Sequence, residues 1–142
     1  MNIPDNLIHI KYFSDFHAPT LLIVAKSEAL FSLAKWFESR ALHNAPEISL
    51  RGQQGFSLHN IDIKIVSEAR NVGIKKINGN SFVWRLSPPV CIYFSGLVLP
   101  FVNEQLPRHQ YLESYGSDDV QVMLSVNEYD WKMFEDKIDI NN

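Results

Sequence analysis

From Leu86 to Asn103 the chain carries no charged side chain, and this stretch limits what the protein can become more than any other. Its length is about what a helix needs to cross a bilayer. It is interrupted, however, by Pro88, Pro89, Gly96 and Pro100, and an interior proline both removes a helical hydrogen bond and clashes with the preceding turn. We therefore read it as buried protein and not as a membrane span. Ser87 followed by two prolines has the pattern of a helix start, since serine caps orphan N–H groups and proline in a first turn forfeits no hydrogen bond. A helix is expected from there to about Val98, ended or kinked at Pro100, which cannot donate to the Gly96 carbonyl. Val90, Cys91, Ile92, Tyr93, Phe94, Leu97, Val98 and Leu99 leave it almost no polar face, so it is either deeply buried or partly covered by a partner.

Such a helix needs a core. At 142 residues, 46% hydrophobic and 12% aromatic, the chain can build one core but not two ordinary domains, so residues 1–142 are read as a single domain. The single Cys91 allows no intrachain disulfide, and Met1-Asn2-Ile3-Pro4-Asp5 lacks the charged-then-apolar layout of a signal peptide. A cytoplasmic location is expected on these grounds.

Thr20-Leu-Leu-Ile-Val-Ala-Lys26 is a short apolar run of the kind that forms a central strand covered on both faces. Ser27 and Glu28 then start a helix, the serine as cap and the carboxylate at the positive end of the dipole. On its wheel Leu30, Leu33, Ala34, Phe37 and Ala41 share one face and Glu28, Ser32, Lys35 and Ser39 the opposite one, with Phe31 and Trp36 at the margins. Ile48–Leu50 and the alternating Ile61–Ile65 read as strands, with Gly52 and Gly55 punctuating the link. Asn78-Gly79 between Ile74–Ile77 and Ser81–Leu86 predicts a type I′ hairpin. His109–Ser114 reads as a short strand and Gly116–Asp119 as a turn. Val120–Val126 alternates, with Val120, Val122, Leu124 and Val126 on its core face.

The order strand, serine-initiated helix, short strand, alternating strand occurs in residues 20–67 and again in residues 81–126. Ser27 and Ser87 are matched in the two, as are Ile61 and Val120. Two readings follow, a duplicated β-α-β-β unit or a chance recurrence of common elements. The expected fold is α+β: one mainly antiparallel sheet with two helices packed on one face.

Chemistry is not evident in the spacing. His9, His17, His43, His59 and His109 show neither an i,i+4 helical pair nor a Cys/His pattern, so no metal site is expected. His109 is a candidate base beside Glu113 or Asp119, against the commoner role of a hydrogen-bonded structural histidine. Cys91 sits in the most apolar segment, where burial disfavours the thiolate. The local motifs of nucleotide binding and acyl-enzyme chemistry do not occur. Lys75, Lys76 and Arg85 read as the wet face of a hairpin, and Asp118-Asp119 as a solvated pair on a turn. No catalytic residue and no cofactor is expected.

Trp84-Arg-Leu-Ser87 before a helix, His109-Gln-Tyr-Leu-Glu113 after it and the closing Ser125-Val-Asn-Glu-Tyr129 resemble, over residues 80–131, a family of small bacterial immunity proteins from polymorphic toxin systems. The pattern departs at Pro88 and Pro89, where an acidic residue belongs, and at Arg108, where a glycine does. The resemblance implies a protein that blocks a delivered toxin by binding it, without catalysis. The charge distribution agrees with such a role. Residues 1–100 hold ten Lys/Arg and seven Asp/Glu, and residues 101–142 hold three and nine, an acidic end suited to the basic cleft of a nuclease-like toxin. Tyr111, Glu113, Tyr115, Asp118, Asp119, Glu128, Tyr129, Asp130 and Trp131 are the candidate partner-binding residues, aromatic anchors among acids. Direct nucleic-acid or membrane binding is not expected. The alternative is a homodimerising or non-catalytic interaction module, with the apolar second helix completed by another copy.

Overall fold

The structure, a computed structural model, describes residues 3–42, 46–114 and 118–135. In chain order the elements are β1 (Ile8–Phe13), β2 (Thr20–Val24), α1 (Ser27–Leu42), β3 (Glu47–Ser49), β4 (Phe56–His59), β5 (Asp62–Ser67), β6 (Gly73–Asn78), β7 (Ser81–Leu86), α2 (Pro88–Val98), β8 (Arg108–Tyr111) and β9 (Gln121–Val126). Short 3-10 turns stand at Leu50–Gly52, Leu99–Phe101 and Trp131–Phe134. The protein is α+β, as the sequence predicts, but its strands form two sheets and not one: β4-β1-β2-β9-β8 and β3-β5-β7-β6. Three of the pairings, β1 with β4, β2 with β9 and β5 with β7, are parallel, and the other four are antiparallel.

The apolar run at residues 20–26 becomes β2, the middle strand of the five-stranded sheet, with all five of its residues buried. Alternation divides its side chains between two layers. Leu21 and Ile23 face the main core, which also takes in Leu30, Leu33 and Phe37 of α1, Phe94 and Val98 of α2, and Ile63, Ile65, Phe82 and Trp84 of the four-stranded sheet. Leu22 and Val24 face the other way, into a smaller cluster with Ile3, Met123 and Phe134. The helices thus lie against the inner faces of both sheets, and a C-terminal strap covers the outer face of one. The strap is why β9 is buried on both faces, Met123 and Ser125 included, where alternation alone gives it one wet face.

Local rules account for the helices. Ser87 accepts the Val90 N–H as the cap of α2, which ends at Val98 before a 3-10 turn containing Pro100. In α1 the buried residues include Leu30, Leu33, Ala34 and Phe37, Trp36 is half-buried, and Phe31 is exposed. The rings of Phe37 and Phe94, 5.5 Å apart and edge to face, join the two helices. The β6–β7 hairpin forms, but Asn78 and Gly79 do not have the positive φ of a type I′ turn. The two-residue connection is instead Gly79-Asn80, and a bulge between Lys76 and Asn78 shifts the register to accommodate it.

The element order has a two-fold correspondence. An antiparallel hairpin, a helix and a second antiparallel pair follow one another as β1, β2, α1, β3, β5 and again as β6, β7, α2, β8, β9. Each half places its first hairpin in one sheet and its second pair in the other. The parallel seams match in register: Thr20 opposite Gln121 and Leu21 opposite Val122 in one sheet, Ser81 opposite Asp62 and Phe82 opposite Ile63 in the other. Strand β4 is an addition to the first half, pairing with the free side of β1.

Ile65 and Leu124 occupy equivalent places on the two seams and both are 0% exposed. Replacing either with Asp leaves an unpaired carboxylate in the core, at a cost of several kcal/mol against a total stability of about 5 to 15 kcal/mol. Both variants should be insoluble or show no cooperative melt. Normal melting of either would mean that its face is wrongly assigned.

Candidate functional site

The candidate residues from the acidic end do not form one patch. Glu113, Asp118 and Asp119 lie before β9 and Glu128 and Asp130 after it, so the strand, about 17 Å long at its usual rise, separates them. Tyr115 lies outside the described residues. At the first end, Glu113, Asp118 and Asp119 line an open cavity of about 320 Å³ with Pro19, Leu112 and Gln121. Asp118 and Asp119 are exposed, as expected of a turn pair, but they also bond to the edge of the second sheet. Asp118 accepts the Ile74 N–H at 2.9 Å and the Ser114 hydroxyl, and Asp119 accepts the Lys76 N–H at 3.1 Å. The Asp119 N–H in turn donates to the Ile74 carbonyl. An exposed edge strand otherwise presents a row of unpaired N–H groups to the next chain, and these two carboxylates close that row on β6. Lys75 completes the junction by pairing with Asp119 at 3.4 Å.

At the other end Glu128 is half-buried and accepts from both the Ser125 hydroxyl and His109 Nδ1, the latter at 2.8 Å. His109 therefore pairs with Glu128 and not with Glu113 or Asp119. The acid stands between serine and histidine, so the histidine cannot take a proton from Ser125, and the set lacks the geometry of a nucleophilic triad. Asn127, at φ 59°, reverses the chain here, and its amide donates to the Glu104 carbonyl. Asp130 then caps the last 3-10 turn by accepting the Lys132 N–H at 3.0 Å.

The aromatic candidates divide in the same way. Tyr111 and Tyr129 are half-buried against the outer cluster, and Tyr129 stacks on Phe16 with ring centres 5.9 Å apart. Burial, together with the Glu128 carboxylate and the Tyr111 phenol, raises the Tyr129 pKa above its ordinary value. Trp131 belongs to the strap itself. It stacks on Phe134 and meets the His9 ring edge to face at 4.5 Å, which makes it an anchor of the C-terminal segment and not a free contact residue.

Beneath the strap is a constellation that the sequence spacing does not show. His9, 3% exposed, bonds to Asp5 Oδ1 through Nε2 at 2.7 Å and to His59 Nε2 through Nδ1 at 2.9 Å. Fifty residues separate the two histidines, and only the parallel pairing of β1 with β4, which sets His9 opposite Ser57 and Lys11 opposite His59, brings them together. Burial works to raise the Asp5 pKa, but the bonds from His9 and from the Leu7 N–H outweigh it and hold the carboxyl below its ordinary value. Among the described residues no group of three or more His, Cys, Asp or Glu is placed to hold a metal ion. Cys91 is buried, and burial pushes its thiol up to about 11, so almost none of it is the nucleophilic thiolate at neutral pH.

The chain matches no protein-family model and no curated protein. No helix among the described residues is long and apolar enough to cross a membrane. The fold and site define an α+β protein in which Asp118, Asp119 and Asp130, three of the candidate acids, bond to a strand edge and a turn.

Two consequences are measurable. Asp118→Ala leaves the Ile74 N–H without its partner and should cost about 1 to 3 kcal/mol in urea denaturation, whereas a solvated turn residue would cost no more than about 0.5. Because the folded-state pKa of Asp5 is depressed, its contribution to stability is present above the unfolded value and is lost as pH falls through the folded one. Asp5→Asn should therefore flatten the decline in melting temperature below about pH 4. An unchanged acid limb in that variant would remove Asp5 from the account.

Proposed function

We propose that the protein is an immunity protein, binding and neutralising a cognate bacterial toxin in the cytoplasm without catalysis of its own. The observation that carries this reading is the convergence of two of the segments on which the family resemblance rests. His109 of His-Gln-Tyr-Leu-Glu and Ser125 and Glu128 of Ser-Val-Asn-Glu-Tyr meet in one hydrogen-bonded network. Residue types that recur in separate segments have a physical reason to do so when they touch. Trp84 and Ser87 of the remaining segment are a core side chain and a helix cap. In this reading the shared residues build the scaffold, and the partner is met by exposed groups around it.

Those groups are Glu113 and Asp130 from the acidic end, both exposed, with Asp15 and His17 beside Phe16 and Tyr129 around an open cavity of about 390 Å³. Half-buried rings bordered by acids suit a basic partner, with the aromatics supplying contact area and the acids steering the encounter. A second reading, self-association, is favoured by one feature. Ile92, Tyr93 and Leu99 of the α2 region are 54%, 40% and 40% exposed on a stretch without charge. Light scattering separates the two, since an inhibitor of this kind needs no second copy of itself.

The deciding measurement is binding to the toxin domain encoded beside the protein's own gene. Charge reversal at Glu113 and Asp130 together should slow association by about tenfold at low salt and less at high salt, because rim charges act chiefly on encounter. Asp118 and Asp119 are unsuitable for this test because they support β6. Wild-type association by a normally folded double variant would defeat the acidic-surface mechanism. A gene neighbourhood of metabolic enzymes, with no toxin, would defeat the function.

A further inference from the structure

The largest of the cavities described, about 470 Å³, opens where β1, the turn after β4, the β6–β7 turn and the last 3-10 turn meet. Its polar lining is Lys11, His59, Asn60, Asn80 and Lys132, and Tyr12 and Phe13 form an aromatic wall. Lys76 stands beside it with its ammonium 5.0 Å from the centre of the Tyr12 ring. These lysines, like Lys26 and Arg70, differ from most of the described cations elsewhere on the molecule. Arg51, Lys64, Lys75, Arg85 and Arg108 each hold a carboxylate within 3.4 Å. Among the described residues, Lys11, Lys76 and Lys132 pair with none, although Asp/Glu outnumber Lys/Arg by sixteen to thirteen in the chain.

Two of the groups are held in place. The Lys11 ammonium donates to the Met133 carbonyl at 2.8 Å, which fixes it at the cavity wall and leaves two of its three N–H donors for a ligand. The His59 ring is held by His9 at 2.9 Å and lies edge to face on Phe134. Asn60 sits in the left-handed region at φ 58°, on the turn that joins β4 to β5. Among the described residues one carboxylate, the exposed Glu135, also lines the cavity, against the two lysines.

We propose that this cavity is a binding site for a small oxyanion, a phosphate or a phosphate ester. Lys11 and Lys132 supply the charge, the Asn80 side chain supplies an amide donor, and the aromatic wall receives the organic part of an ester. Ammonium-to-phosphate hydrogen bonds are charge-assisted and are among the stronger contacts a surface cavity can make. The Lys11 donor, already fixed in position, loses little freedom on binding. The site does not depend on the immunity reading and involves none of the residues proposed to meet a toxin.

The test is calorimetric titration of the purified protein with inorganic phosphate, adenosine monophosphate and adenosine at low salt and neutral pH, beside thermal melts. Saturable one-site binding of phosphate is expected, with Lys132→Glu weakening it about tenfold or more and Lys26→Glu, a lysine away from the cavity, leaving it unchanged. Tighter binding of the monophosphate than of phosphate assigns the site to esters, and equal or weaker binding assigns it to the free ion; either result supports the site. Lys76→Glu provides the same comparison if Lys132→Glu fails to fold. Absence of saturable binding, equal weakening by the Lys26 and cavity variants, or adenosine binding as tightly as its monophosphate would each overturn the proposal.

Discussion

The parallel pairing of β2 with β9 is the constraint on which the other elements depend. It joins residues about a hundred positions apart, Thr20–Ile23 with Gln121–Leu124, and it is covered on both faces. A buried parallel pair hides its own backbone polar groups and must find apolar cover above and below. The inner cover is the helix layer and the second sheet. The outer cover is the strap from Tyr129 to Phe134, which crosses β2 and β9 with Phe134 buried over Leu22, Val24 and Met123. Without this seam neither half of the chain has a complete sheet, since each gives one hairpin away to the other.

Exchange of hairpins leaves edges, and the molecule closes two of them by different means. The free side of β1 receives β4 as a parallel strand. The corresponding side of β6 receives the segment before β9, which contributes one backbone hydrogen bond and two aspartate side chains. A carboxylate accepting a backbone N–H does the work of a strand carbonyl while adding a charge that discourages another chain from pairing there. Asp118 and Asp119 are therefore better understood as edge closure than as a binding rim. That role also accounts for the pairing of Lys75 with Asp119, which balances the added charge.

The parts of this fold legible in the sequence are those decided by neighbours in the chain. The continuous apolar run of β2, the wheel of α1, the serine and prolines that begin α2, and the alternation of β5 and β9 are all local. Strand β1, Ile-His-Ile-Lys-Tyr-Phe, alternates, but it is short. Strand β4 is half-buried throughout and follows the left-handed Gly55, so in sequence it is indistinguishable from a glycine-punctuated link. The candidate site was legible only as a composition. Acids and aromatics are close along residues 111–131, but β9 carries them to opposite ends, and several are consumed by a strand edge, a 3-10 cap and a buried network. The Asp5–His9–His59 chain could not be found from spacing, because a parallel pairing with a fifty-residue separation creates it.

Charge in sequence and charge in space also part company, and the strap is the reason. By sequence the chain has a basic first part and an acidic last part, which suggests one acidic pole. The strap carries Lys132 back across the outer face of the sheet to β1, where Lys11 grips the Met133 carbonyl and Lys76 reaches over Tyr12. Lysines from three distant segments thus gather around one cavity, while Glu113 and Asp130 stay at the surface near β9. The gathering of these lysines follows from one structural requirement, the need to cover Leu22, Val24 and Met123. A segment placed to complete a core therefore also brings together lysines that have no carboxylate partner among the described residues.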